Sequence, residues 1–181
     1  IRRVSVNDIA GPQRYTAMRD EFRRRIIELK RDRRVSVGDK VTLVFENFDT
    51  VLFQIQEMLH VEHITDIDRV RDEIEVYNAL LPGERELSAT MLIEITDQDA
   101  IAAELAKLIG IDEAVSLEIG GRAFPASFEA GRSTEEKLSA VQYLRFPLDE
   151  QAARDLSAGV GEVAIAIDHP GSRARAVLTA G

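Results

Sequence analysis

Histidine is scarce in this chain, and two of its three histidines, His60 and His63, lie close together. Glu57 precedes His60 by three positions, and residues three apart on a helix share a face. A Glu-x-x-His motif supplies a carboxylate and an imidazole to one iron in ferritin-like di-iron bundles. Those sites need two such motifs and two further Glu, which a homodimer would help to supply. Glu57, His60 and His63 are therefore weak metal candidates, and the alternative is a solvated polar face at a helix end.

We expect no tightly bound metal ion at these three residues, because positions i, i+3 and i+6 drift around a helix with 3.6 residues per turn. His169 follows Asp168 in a turn before Pro170, and a carboxylate beside an imidazole can tune a general base. Asp-x-Pro is also ordinary turn chemistry. The sequence has no G-x-S-x-G, phosphate-binding loop, G-x-G-x-x-G or H-E-x-x-H motif. It predicts no cofactor and favours a protein that is not an enzyme.

Composition narrows the class of protein further. The 181 residues are 45% hydrophobic and 30% charged, as in an ordinary globular domain. The absence of cysteine excludes disulfides, thiolate metal sites and cysteine nucleophiles in this chain. No apolar run approaches the ~20 residues of a membrane span, and the first residues lack the apolar region of a signal peptide. These features predict a cytoplasmic protein that does not enter a membrane.

Charge is distributed unevenly along the chain. Residues 14–34 contain nine Arg or Lys against four Asp or Glu, whereas residues 35–181 have a net charge of −15. Arg24, Lys30 and Arg31 lie on the basic segment and are predicted to face an acidic protein partner. The alternative is that the basic helix folds back on its own acidic body. The overall charge of −9 argues against nucleic acid as a ligand, because it repels phosphate.

The front half, residues 1–82, is predicted to be a helical region with one strand. A stripe that runs from Tyr15 to Leu29 predicts a helix over 13–33, and the β-branched and aromatic residues of 41–45 predict a strand. Residues 50–63 fit either a helix or the return strand of a hairpin, and their length favours the helix. Thr65-x-x-Asp68 resembles a capping box that starts a further helix, to about residue 80.

The back half is predicted to contain the same order of secondary-structure elements twice, at 83–128 and 138–181. Each copy opens with Leu-Ser-Ala and reads as strand, helix, strand and strand. The sequence therefore predicts an α+β fold, with N-terminal helices packed on a mainly antiparallel sheet built from the two copies, and one compact domain in all.

The cleft between the two copies is an alternative functional site. Tandem units of this order also occur in small-molecule-binding domains that resemble DNA gyrase inhibitory protein, which is an analogy of fold alone. Arg122 and Arg173 occupy matching places after the two hairpin turns, and Gln142 and Tyr143 lie on the opening strand of the second copy. These four residues are predicted as polar contacts of such a ligand.

Five stretches resemble a bacterial family known as a domain of unknown function. They are Phe22–Lys30, Val41–Asn47, Thr50–Met58, Glu86–Glu94 and Ile167–Pro170. The resemblance covers nearly the whole chain. It implies that the gene for this chain lies near genes for rubrerythrin-like proteins and for iron–sulfur proteins related to heterodisulfide reductase. It thereby implies an accessory, non-enzymatic role in a peroxide- or electron-handling system, with one of those proteins as partner. The alternatives are the small-molecule-binding module described above and a metal-dependent redox enzyme.

Overall fold

A computed structural model of the chain describes residues 1–132, 134 and 136–179. The last two residues of the predicted second copy, 138–181, lie outside this part. The chain forms two compact units, one of Ile1–Arg33 with Glu46–Glu84 and one of Arg34–Phe45 with Arg85–Gly181. Helices and two mainly antiparallel sheets confirm the predicted α+β class. None of the helices in the described part combines the length and apolar character that a membrane crossing requires.

The first unit is helical. It contains a short 3-10 helix at Val6–Asp8, then α1 at Pro12–Arg31, α2 at Phe48–Val61 and α3 at Ile67–Asn78. The predicted stripe of α1 is buried at Tyr15, Phe22 and Ile26, which pack with residues of α2 such as Phe53. α2 and α3 bury Val51, Ile55 and Ile74 in a second cluster. We refer to this part as the helical unit.

Capping side chains fix where α2 and α3 begin. The Asn47 side chain accepts a hydrogen bond from the Thr50 amide at 2.9 Å, and the Thr50 hydroxyl accepts one from the Asn47 amide at 2.9 Å. The prediction of a helix rather than a hairpin strand at 50–63 is thus confirmed. For α3 the predicted cap is wrong by one residue. Asp66, not Thr65, accepts the free amides of Asp68 and Arg69, at 2.8 and 3.2 Å.

The second unit, which we call the sheet unit, contains the strands of the chain. Within the described residues they are β1 Arg34–Val37, β2 Val41–Phe45, β3 Glu86–Ile93, β4 Val115–Ile119, β5 Arg122–Pro125, β6 Ser127–Phe128, β7 Val141–Pro147, β8 Val163–His169 and β9 Ser172–Leu178. α4 (Ile101–Ala106) follows β3 and α5 (Glu150–Ala158) follows β7. One sheet has the order β1-β2-β3-β7-β6 and the other β5-β4-β8-β9, with antiparallel neighbours throughout.

β1 is a strand that the sequence analysis missed. The chain leaves α1 at Arg31, pairs Arg34–Val37 with β2, and turns through Gly38 at φ 77°. The predicted helix end at residue 33 is therefore corrected to Arg31, and the strand that follows was not predicted. The hairpin of β1 and β2 belongs to the sheet unit. The predicted helical region, residues 1–82, had included residues 41–45 as its one strand.

The back half has the predicted order of elements twice, β3-α4-β4-β5 and β7-α5-β8-β9. β3 pairs with β7 in the first sheet and β4 with β8 in the second, so each copy contributes its opening strand to one sheet and its hairpin to the other. The strands thus form two sheets instead of one. Common origin of the copies stays a prediction. Pro125 lies on an edge strand, as its missing donor requires.

Candidate functional site

Glu57 stands at the centre of a hydrogen-bonded cluster in the helical unit. Its carboxylate accepts the Tyr15 hydroxyl at 2.7 Å and two guanidinium N–H groups of Arg19, at 2.9 and 3.0 Å. The Arg19 hydrogen bonds lower the pKa of Glu57. Burial, together with the bond to Glu57, raises the pKa of Tyr15. At neutral pH the carboxylate is therefore ionised and the phenol protonated, and neither group is poised to exchange a proton.

Of the two neighbouring histidines, His60 is close enough to Glu57 to help lower its pKa. The His60 ring packs edge to face against Tyr15, with centroids 5.7 Å apart. His63 lies beyond the end of α2 with a φ of 52°, so it has left the helix whose face His60 occupies. The described residues contain no group of three or more His, Cys, Asp or Glu suited to a metal ion. The predicted metal candidates are thus near one another in sequence but not assembled as a ligand set.

A cavity of about 450 Å³ lies beside His60 and Tyr15, wholly within the helical unit. Its lining comes from the segment 6–12, the first turns of α1, the second half of α2, the loop 63–65 and the start of α3. Most of the wall is apolar, with Val6, Ile9, Leu59, Ile64 and Val70 among its members. A cavity of this volume is in the range of small-molecule sites, about 300–1,000 Å³.

Two buried amide side chains hold the N-terminal segment that forms one wall of the cavity. Gln56 accepts the Ala10 amide at 2.6 Å and donates to the Ala10 carbonyl at 3.3 Å. Asn78 does the same for Val4, with both hydrogen bonds at 2.9 Å. Each side chain imitates one step of a β-ladder, since it pairs with both backbone groups of one residue. The segment is therefore fixed at two points, and the one at Ala10 borders the cavity.

Three of the polar side chains that line the cavity form hydrogen bonds with other groups of the protein. Tyr15 donates to Glu57, Gln56 is paired with Ala10, and the Thr16 hydroxyl donates to the Pro12 carbonyl at 2.8 Å. His60 is half-buried and has no hydrogen-bond partner within the described residues. The cavity thus presents a mainly apolar interior with the half-buried His60 imidazole, and the exposed residues His63 and Thr65 lie at its rim.

The predicted partner-facing residues of α1 divide into two groups. Arg24 and Arg31 are exposed, and their contacts are local: Arg24 donates to the Asp20 carbonyl and Arg31 pairs with Glu28 at 3.0 Å. Lys30 is half-buried, with its ammonium 5.9 Å from the centre of the Phe53 ring. Two of the three side chains are therefore at the surface.

The four predicted ligand contacts of the back half are not brought to one place. Arg122 lies on the edge strand β5 and pairs with Asp149. Arg173 lies on the opposite edge strand, β9, and pairs with Asp168. Gln142 is fully buried, whereas its neighbour Tyr143 points to the other face of β7. The Gln142 amide nitrogen donates to Ser139, but its Oε1 has no partner in the described structure.

Comparison with known proteins places the chain in a family. The model of a family described as "Protein of unknown function (DUF3501)" matches residues 3–181. The chain belongs to the DUF3501 family. This DUF3501 protein is also similar to a crystal structure of a protein of unknown function from Burkholderia pseudomallei, with a TM-score of 0.92 and 33% identity over 98% of this chain and 94% of that one. None of the curated proteins matches.

The resemblance to a family of unknown function is thereby confirmed. Most residues of the cavity in this DUF3501 protein were not predicted from the sequence. Val6 and Ile9 precede the first predicted helix, and no pattern connects them with residues 56–70. Gln56 carried a usable signal, since it lies four residues after Leu52, among the apolar positions of α2. A buried amide among apolar residues requires partners, and the backbone of another segment is one source of them.

Proposed function

We propose that this DUF3501 protein is a non-enzymatic binding protein and that the cavity of the helical unit is its functional site. The observation that carries the proposal is the cavity of about 450 Å³ with apolar walls. Sites of this kind bind small molecules through apolar contact and a few placed polar groups. Here Tyr15 and Gln56 are held by internal hydrogen bonds, so the wall is already formed before a ligand enters.

The electrostatics of the cluster favour binding over catalysis. A general acid or base works best with a pKa near the working pH. Arg19 moves the pKa of Glu57 downward and burial moves that of Tyr15 upward, so both groups are shifted away from neutrality. Such a cluster stabilises the packing of α1 on α2, and it supplies no group that changes its protonation during a reaction.

The biological setting that we propose is the cytoplasmic accessory role in a rubrerythrin-linked peroxide- or electron-handling system. Its support is the family resemblance, which implies that the gene lies near those for rubrerythrin-like proteins. Genes that lie together commonly encode proteins with a shared task. The chain has no cysteine, so a cysteine-ligated iron–sulfur cluster would belong to the partner and not to this chain. The exposed side chains of Arg24 and Arg31 are the proposed contact surface for that partner.

Ligand binding can be tested with two matched variants of α3. Ile67 lines the cavity and is 46% exposed, whereas Val76 is 63% exposed and lies outside the lining. We expect Ile67→Trp to narrow the cavity without disturbing the core, and Val76→Trp to serve as the control. The purified proteins are dialysed against a small-molecule extract of bacterial cells, and retained compounds are identified by mass spectrometry. Retention by the native protein and Val76→Trp, but not by Ile67→Trp, is expected; equal retention or none would contradict the proposal.

The partner surface has its own test. Arg31 pairs with Glu28 within α1, and Arg154 pairs with Glu150 within α5, so the two arginines are matched in exposure and surroundings. We expect Arg31→Glu to weaken binding of the rubrerythrin-like protein of the same genome about fivefold or more at low salt, and Arg154→Glu to leave it unchanged. Calorimetric titration at two salt concentrations measures both. Equal affinities for the two variants would remove α1 as the contact surface.

A further inference from the structure

The residues that line the cavity, all of which lie within the described segment 6–70, include no acidic side chain, no lysine and no arginine. The carboxylate that the lining residue Tyr15 contacts, Glu57, is paired with Arg19, so its charge is neutralised. A charged ligand would lose its hydration without gaining a counter-charge, which is unfavourable.

The helix ends around the cavity do not supply a net field either. The amino end of α1 contributes Gly11 and Pro12 to the lining, and the carboxyl end of α2 contributes His60. The dipoles of α1 and α2 have opposite signs at these ends, so their effects on a bound charge offset each other. The amino end of α3, which contributes Ile67, is capped by the Asp66 carboxylate, and this negative charge offsets the positive end of that helix. The site therefore resembles an apolar solvent more than an ion-binding pocket.

His60 provides the polar contact that such a site needs for orientation. Its ring is fixed by the edge-to-face contact with Tyr15, and it has no hydrogen-bond partner in the described part of the chain. A neutral imidazole has one nitrogen that donates and one that accepts. One hydroxyl or carbonyl group on a ligand can be satisfied by this ring.

We propose that the cavity binds a neutral, mainly apolar molecule with one hydroxyl or carbonyl group, and that His60 forms the hydrogen bond to that group. This inference rests on the proposed function, since it names the ligand class of the same site. The apolar body of the ligand lies against the aliphatic wall of Ile9, Leu59 and Val70, and its polar end faces His60.

Three naphthalene probes of the same shape separate the charge states. They are neutral 2-naphthol, anionic 2-naphthoate and cationic 2-(aminomethyl)naphthalene, each titrated into the full chain at neutral pH by calorimetry. We expect 2-naphthol to bind at least about tenfold more tightly than either ion. An ion that binds as tightly as 2-naphthol would overturn the proposed ligand class.

His60→Phe tests the hydrogen bond, because phenylalanine keeps a ring beside Tyr15 but has no ring nitrogen. We expect the affinity for 2-naphthol to fall about fivefold, which corresponds to one neutral hydrogen bond, and that for naphthalene to stay the same. Val61→Phe is the control, since Val61 is next to His60 on α2, is 62% exposed and does not line the cavity. Unchanged binding of 2-naphthol to His60→Phe would overturn the role of His60.

Ile67→Trp distinguishes this proposal from the function on which it rests. It should weaken binding of every probe, while Val76→Trp should not, and circular dichroism verifies that both variants are folded. If no probe binds, or if Ile67→Trp changes nothing, the cavity is not the site and both proposals fail. If Ile67→Trp weakens binding but the ions match 2-naphthol, only the ligand class fails.

Discussion

Replacing Gln56 with Met should detach the N-terminal wall of the cavity while keeping the volume of the side chain. Gln56 is 3% exposed, and its amide pairs with both backbone groups of Ala10. A buried group that loses its partner costs about 1–3 kcal/mol. Ala10 is half-buried, so water satisfies part of this demand. We expect the free energy of unfolding to fall by about 2 kcal/mol in all.

Asn78→Leu is the matched comparison, because Asn78 holds Val4 in the same way. Val4 is 3% exposed, so its two backbone groups stay dry when the amide is removed. We therefore expect a larger loss, about 4 kcal/mol. Ala10 lines the cavity and Val4 does not. Gln56→Met should thus weaken 2-naphthol binding more than Asn78→Leu does, although it costs less stability.

Urea unfolding followed by far-UV circular dichroism measures the free energies, and hydrogen exchange at the Ala10 amide measures whether the wall has opened. Faster exchange at Ala10 is expected in Gln56→Met. A loss of stability below about 0.5 kcal/mol, typical of surface substitutions, together with unchanged exchange, would refute the reasoning.

Three further predictions concern other parts of the chain. An added Cβ at Gly171 would overlap the Lys107 carbonyl oxygen, so Gly171→Ala should cost about 1–3 kcal/mol in urea unfolding; a change below about 0.5 kcal/mol would contradict this. Gln142→Leu should leave stability unchanged or raise it by about 1 kcal/mol, since the buried Oε1 lacks a partner in the described residues, and a clear loss would disprove that. Because Arg19 lowers the pKa of Glu57, its ionised form adds stability above the unfolded pKa that is lost as pH falls through the folded one. The stability difference between native protein and Glu57→Gln should therefore shrink from about pH 5 to pH 3, and a constant difference would argue against the ion pair.

The spacing of apolar residues predicted those helices and strands in which it repeats several times. The stripe from Tyr15 to Ile26 marked α1, and the fourteen residues of α2 were too many for a hairpin strand. Alternation marked β4 and β8, where every second residue packs into the core. In each case the buried face repeats often enough to identify its period.

Short or composite features could not be predicted in this way. β1 has four residues and begins with Arg34, so it continued the basic pattern of the preceding helix. The exchange of strands between two sheets depends on pairings such as β3 with β7, which lie far apart in sequence. The cavity combines segments 6–16 and 56–70, and its apolar lining has the same residue types as a filled core.

Residue-resolved mapping of the probe tests the central claim most directly. 2-Naphthol is titrated into the ¹⁵N-labelled full chain, and backbone amide shifts are followed by NMR. The cavity account predicts saturable shifts at residues 6–16 and 56–70, with His60 and its neighbours among the largest. Saturable shifts confined to the sheet unit, or weak shifts scattered over both units, would contradict it.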